Sequence, residues 1–238
     1  MLRRIEADVQ ETDAGIYPFN IPAVKNLRSL LLHKKVTFFV GDNGSGKSTL
    51  LEAIAVRAGC SPEGGSKNMV FSTKESYSEL YKYISLVYDA HRNTDAFFLR
   101  AESFFNTASA MEEINGIYAM RNVYGDSLHS MSHGESFLSL VLNRFGGSGL
   151  YFLDEPEAAL SALGQLTLLV YLNDLTDRGA QFVIATHSPI ITAFPDSLIY
   201  EIGSEGISER KYDELEFVRL YKNILNDPGG FISRLFAQ

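Results

Sequence analysis

Cysteine is almost missing from this chain. Cys60 is the one thiol in 238 residues, which rules out an internal disulfide and points to a reducing interior. Its simplest role is that of a small, partly buried residue. The start, Met1-Leu2-Arg3-Arg4-Ile5-Glu6, lacks the apolar run of a secretory signal. No stretch approaches the roughly 18 to 20 apolar residues of a membrane span. The longest apolar segments, near 36–40, 150–153 and 182–185, are strand-sized. A soluble, cytoplasmic chain is expected, with no direct membrane insertion, so any membrane role would need another subunit. Basic blocks are missing too. Net charge is −8 and pI is about 5.2, with no Lys/Arg stripe, whereas proteins that grip nucleic acid over a whole surface are usually basic. Composition therefore gives DNA binding no support, and leaves open only a local positive groove formed on dimerisation.

What is present is a core and a loop. At 45% hydrophobic residues, the chain can bury one large domain, or a core with an inserted lobe. Gly41-Asp42-Asn43-Gly44-Ser45-Gly46-Lys47-Ser48 fits G-x-x-x-x-G-K-[ST] at every fixed position. Val36 to Val40 reads as a buried strand leading in, and Thr49 to Ala55 as a helix leading out. In such a loop the glycines let backbone N–H groups curl around a polyphosphate, and the helix N-terminus adds its positive dipole end. Lys47 would reach the β- and γ-phosphates, and the Ser48 hydroxyl would ligate Mg²⁺.

Two further groups suit the same chemistry. Asp154-Glu155 follows four apolar residues, so both carboxylates emerge at a strand end. Asp154 would hold the Mg²⁺ shell through water, and Glu155 would polarise an attacking water. Thr186-His187-Ser188-Pro189 follows the next strand; an imidazole there can bond a γ-phosphate oxygen and the water-polarising carboxylate together.

Strands are expected at 36–40, 96–100, 150–154, 181–185 and 197–202, with helices over 158–174 and parts of 104–145. Their alternation predicts an α/β fold with a largely parallel sheet, whose ligands collect beyond the carboxyl ends of the strands. Tyr77, Leu80, Tyr81, Ile84, Val87 and Tyr88 have helical spacing, predicting a helix over 76–91, and Val24 to His33 reads as a short helix. Residues 60–67 read as a loop, and the segment from Asp213 as two short helices broken by Asp227-Pro228-Gly229-Gly230.

Together these residues resemble the ABC-type ATPases, P-loop NTPases that include transporter engines and SMC-type heads. The diagnostic piece is Ser132-His133-Gly134-Glu135-Ser136, placed between loop and carboxylates. It is similar to the family's LSGGQ signature, with Glu135 in place of Gln. The resemblance implies ATP and Mg²⁺ as ligands. It also implies a homodimer in which Ser132, the Gly134 backbone and the following helix of one copy close over nucleotide bound by Gly41 to Thr49 of the other. Ala158-Ala159-Leu160-Ser161 matches the family's D-loop, with Ser161 replacing Asp. No Gln ends the strand at 96–100, so Arg100 or Glu102 must stand in for the Q-loop residue; Glu102 is preferred because a carboxylate can reach Mg²⁺ or its water. Tyr17 is placed to stack on adenine, with Phe19 as competitor and a plain core aromatic as the alternative.

The whole chain, 1–238, reads as one such domain. It comprises an N-terminal β-rich part (1–35), a nucleotide-binding core (36–60, 96–103, 149–202), an inserted helical subdomain carrying the signature (104–145) and C-terminal helices (203–238). In detail it looks most like small stand-alone ATPases near the OLD, RecF and SMC-like branch, through Phe98-Leu99-Arg100-Ala101-Glu102-Ser103 and Asp154 to Ser161. That likeness implies an ATP-gated switch for an effector protein in DNA maintenance or phage defence. Two alternatives stand beside it: the ATPase subunit of a membrane transporter, and a low-turnover nucleotide-dependent scaffold.

Overall fold

A computed structural model describes residues 1–8, 15–66, 78–90, 93–102, 104 and 132–237. Most of the expected helical subdomain, 105–131, lies outside the described residues. The central sheet has seven strands: β3 (Val36–Gly41), β4 (Gly65–Ser66), β6 (Asp95–Arg100), β7 (Gly149–Asp154), β8 (Gln181–Ala185), β9 (Ser197–Gly203) and β10 (Gly206–Arg210). Their order is β10-β9-β3-β8-β7-β6-β4. The inner five, β9 to β6, are parallel, and only the flanking pairs β10–β9 and β6–β4 are antiparallel. A second sheet, β2-β1-β5, is built from β1 (Leu2–Ala7), β2 (Ser29–Leu31) and β5 (Ile84–Tyr88).

β3, β7 and β8 are buried on both faces, so they read as nearly continuous apolar runs, and side-chain alternation divides two cores. On one face Val36, Phe38, Tyr151, Leu153, Phe182 and Ile184 pack against helices α3 (His133–Arg144) and α4 (Ala162–Asp177) through Phe137, Leu140, Leu168 and Leu172. On the other, Phe39, Phe98, Phe152 and Val183 meet α2 (Lys47–Arg57) through Leu50, Leu51 and Ile54, and the second sheet through Leu2, Ile5 and Ile84. Gln181, fully buried, staples the sheets together: its amide donates to the carbonyls of Leu2 and His33 and its oxygen accepts from the Leu2 N–H.

Several sequence expectations need correction. Residues 79–83 form a 3₁₀ turn and 84–88 a strand, not a helix, because β5 pairs antiparallel with β1 and tertiary pairing overrides the helical period. The helix expected over 24–33 is only α1 (Pro22–Lys25), and the chain is strand again at β2. The helix expected from 158 starts at Ala162, since Ser161 caps it by accepting from the Gly164 N–H; Pro156–Ala159 is a separate 3₁₀ turn. The C-terminal part opens with a strand, β10, before α5 (Glu216–Asn226) and α6 (Pro228–Phe236). Gly65–Ser66, inside the expected loop, pairs with Phe98 and Phe97 as β4. Cys60 is buried, and burial pushes its thiol pKa up, so it sits as a neutral core group.

Candidate active site

Four parallel strands end side by side, and each hands over a functional group at its carboxyl end. Backbone bonds tie these ends together. Thr186 N–H donates to the Phe39 carbonyl at 3.0 Å, Glu155 N–H to Ala185 at 2.9 Å and Ala101 N–H to Asp154 at 3.1 Å. The loop after β3 turns through left-handed glycines. Gly41, at φ +140°, would place a Cβ 2.3 Å from the Ile202 carbonyl oxygen, and Gly46, at φ +98°, would place one 2.6 Å from Ile21 Cδ1. Only glycine accepts both the torsion and the contact.

Lys47 is buried, its ammonium donating to the carbonyls of Gly41 at 2.7 Å and Asp42 at 2.9 Å. Ser48 Oγ donates to Asp154 Oδ1 at 2.8 Å. A cavity of about 400 Å³ lies over the loop, lined by Tyr17, Ile21, Asn43, Gly44, Gly46, Lys47, Ser48, Thr49, Glu102 and Glu155. A second, of about 270 Å³, is lined by Ser48, Arg100, Glu102, Asp154 and Glu155. So the structure gathers the loop, Asp154, Glu155, Glu102 and Tyr17 around two cavities that share Ser48, Glu102 and Glu155. Tyr17 is 61% exposed, its hydroxyl 3.4 Å from Thr49 Oγ1, whereas Phe19 is buried edge-on against Tyr83 in the core. Ser45 is buried in the loop wall.

Glu155 has a left-handed backbone, φ 48° and ψ 52°, uncommon for a residue with a side chain and typical of functional turns. Burial holds its carboxyl pKa above the ordinary range, Asp154 and Glu157 add to this, and His187 and Lys47 oppose it. His187 Nδ1 lies 4.0 Å from Glu155 Oε1 and 3.3 Å from Glu157 Oε1.

Ser132 and Gly134 line neither cavity. Ser132 caps α3 in a reciprocal box: Glu135 N–H donates to its Oγ at 3.4 Å, while its own N–H donates to Glu135 Oε2 at 2.9 Å. Glu135, which replaces the signature Gln, therefore has a local role, and the Ser132 bonds hold its pKa low. A Cβ at Gly134 would lie 3.2 Å from the Ala159 carbonyl, so the signature helix is seated closely on the turn after Asp154.

Glu52 and Glu157 escaped sequence reasoning, and Arg100, weighed there only as a stand-in for the Q-loop residue, has partners that the sequence did not show. Arg100 Nε donates to Asp154 Oδ2 at 2.9 Å and Nη2 to Glu52 Oε2 at 2.9 Å. Glu157, buried, accepts from Thr186 Oγ1 at 2.8 Å and from the His187 N–H at 2.7 Å. For Arg100 and Glu157 the sequence signal was a charge at or near a strand end, and for Glu52 a charge on the helix after the loop, each without a visible partner.

The donor set suits a hard divalent cation: a hydroxyl and a carboxylate within hydrogen-bond reach, with Glu102 on the same cavity wall, all oxygen. Among the described residues no group of three or more His, Cys, Asp or Glu could hold a metal alone. Phosphate oxygens would have to complete the shell, as is usual for magnesium.

Comparison with known structures gives the fold. The chain is similar to the SMC head bound to the C-winged helix domain of ScpA, at TM-score 0.56 and 10% identity, covering 90% of this chain and 99% of that one. It is also similar to the SMC head domain from Thermotoga maritima, at 0.51 and 15%, covering 88% and 99%. A nucleotide-free ATP-binding cassette from an ABC transporter matches at 0.51 and 19%, covering 95% and 96%. Among curated proteins, ABC transporter G family member STR2 of Medicago truncatula is 27% identical over 172 residues, covering 65% of this chain. The chain spans about a quarter, 24%, of that relative's length. The sequence pattern of the family described as ABC transporter matches residues 24–158. This match takes in the phosphate loop, the signature and the Asp154-Glu155 pair, more than half of the chain, and places the protein in the ABC family of ATP-binding, ATP-hydrolysing P-loop proteins.

Proposed function

We propose that residues 1–238 form one ABC-type ATPase domain that hydrolyses ATP to ADP and phosphate and works as an ATP-gated dimeric switch. The observation that carries the reading is the convergence of Lys47, Ser48, Asp154 and Glu155 on two cavities that share Ser48 and Glu155 at the ends of β3 and β7, with Ser48 already bonded to Asp154. Gly41, Asp42, Asn43, Gly44, Ser45, Gly46 and Thr49 form the phosphate cradle. Lys47 leaves its two loop carbonyls for the β- and γ-phosphates. Tyr17 stacks on the adenine. Ser48 and Asp154, with Glu102 nearby, would hold Mg²⁺, which supplies charge neutralisation of the phosphates. Glu155, with its raised pKa, accepts a proton from the attacking water; His187 steadies that carboxylate and the γ-phosphate. Ser132 and the Gly134 backbone close the site bound by a second copy, consistent with their absence from the wall of their own.

For its biological role, we favour an effector protein as partner, in DNA maintenance or phage defence. The support is the likeness of the 98–103, 132–136 and 154–161 segments to the OLD, RecF and SMC-like branch, an argument by association. A second reading, the engine of a membrane transporter, is supported by the family description and by the plant relative. Among the described residues no helix is long and apolar enough to cross a membrane, and co-purification with an integral-membrane subunit would establish that role. The ATPase reading is tested by steady-state phosphate release: K47A and E155Q should each lose at least about a hundredfold of the parental rate. Parental turnover by E155Q would remove Glu155 from its role.

A further inference from the structure

β6 and β7 run parallel with Arg100 in register beside Asp154. From there its guanidinium bridges Asp154 Oδ2 and Glu52 Oε2, each at 2.9 Å, and lies 5.2 Å from the Phe98 ring centroid. The other Asp154 oxygen is taken by Ser48. Both oxygens of the carboxylate are thus engaged by this chain's own donors. The three charged side chains are 24%, 14% and 4% exposed for Arg100, Glu52 and Asp154, so salt screens them weakly. With Arg100 the trio carries one net negative charge; without it, two facing carboxylates would make a ready perch for a hard cation. The guanidinium is planar and always charged, so it does not relinquish this position by titration.

We propose that Arg100 is a positioning residue that screens the magnesium site: it fixes Asp154 and repels a divalent cation until a triphosphate brings compensating negative charge. This rests on the ATP-binding reading of the site, and makes the order of loading, metal with nucleotide and not before it, a property of the strand end. A merely structural ion pair would affect stability and leave metal affinity alone.

The test titrates the full chain with Mn²⁺ alone, without nucleotide, reading free Mn²⁺ by electron paramagnetic resonance. Removing a unit positive charge next to a divalent ion should tighten binding at least about tenfold in R100Q, while R100K, which keeps the charge, stays near the parent. Because R100Q leaves two buried carboxylates together and could fold poorly, the pair E52Q and E52Q/R100Q reads the same gain with one carboxylate fewer. Affinity in R100Q and in the double variant no tighter than in their respective backgrounds overturns the inference. Fluorescent ATP analogue binding by the parent in the presence of Mg²⁺ separates the two failures. A parent that does not bind it overturns the underlying reading; a parent that binds it while R100Q shows no gain overturns the role of Arg100 alone.

Discussion

Removing the Glu157 side chain should cost stability and turnover together, and the structure sets the size of the first. Its Oε1 accepts from the hydroxyl of fully buried Thr186 and from the His187 N–H, and faces His187 Nδ1 at 3.3 Å. A bond to a charged group contributes about 1.5–3 kcal/mol, and stranding a buried donor costs a similar amount. One effect works in the opposite direction. Glu157 Oε2 is buried with no partner among the described residues, and truncation relieves about 1–3 kcal/mol of that. The net expectation for E157A is a loss of about 2–4 kcal/mol in urea unfolding at constant m-value. E157Q keeps an acceptor at Oε1 and should lose less, about 1 kcal/mol. In both variants the imidazole loses its charged neighbour, so kcat should fall more than KM for ATP rises. If E157A unfolds within about 0.5 kcal/mol of the parent, the bonds drawn to Thr186 and His187 contribute nothing, and the positioning argument for His187 fails with them.

Other consequences follow from single contacts. G41A forces a Cβ to within 2.3 Å of the Ile202 carbonyl and should lower the thermal midpoint and abolish nucleotide binding, since β9 cannot retreat without breaking its pairing to β3. Glu155 has a raised pKa in the folded state, so its ionisation works against folding: that penalty is absent below the ordinary carboxylate pKa of about 4.3 and complete once pH has risen through the raised folded value. E155Q should therefore unfold at higher urea than the parent at pH 7, with the difference vanishing near pH 4, and ATP turnover by the parent should drop as pH falls through the same window. S132A removes the cap of α3 and should cost about 1 kcal/mol, measurable by denaturation in the absence of nucleotide.

The phosphate loop could be read directly because its chemistry is local: glycines at fixed spacing, a Lys-Ser pair, an apolar strand before and a helix after. β7 and β8 were as plain, since burial on both faces leaves them as apolar runs, and β6 and β9 were legible from their shorter apolar stretches, Ala96 to Leu99 and Leu198 to Tyr200. β5 was misread because Leu80, Ile84 and Tyr88 satisfy a helical period as well as a strand, and only pairing with β1 decides between them. Arg100 was weighed only as a stand-in for the Q-loop residue and Glu157 not at all, because the sequence shows the partners of neither. Their partners lie 54 and 29–30 positions away, and strand register, which no local pattern reveals, brings them together. Ser132 was read only as a signature residue; its S-x-x-E spacing also makes it the first member of a capping box, which went unread and which the structure displays within one chain.

The most direct test of the dimeric switch is mass in solution. Light scattering on size-exclusion chromatography of E155Q should give the 26.4 kDa monomer without nucleotide and twice that mass with ATP and Mg²⁺, and adding S132R should return the ATP-bound sample to monomer. A mass that ATP leaves unchanged at saturating concentration, or a dimer indifferent to S132R, would contradict the account.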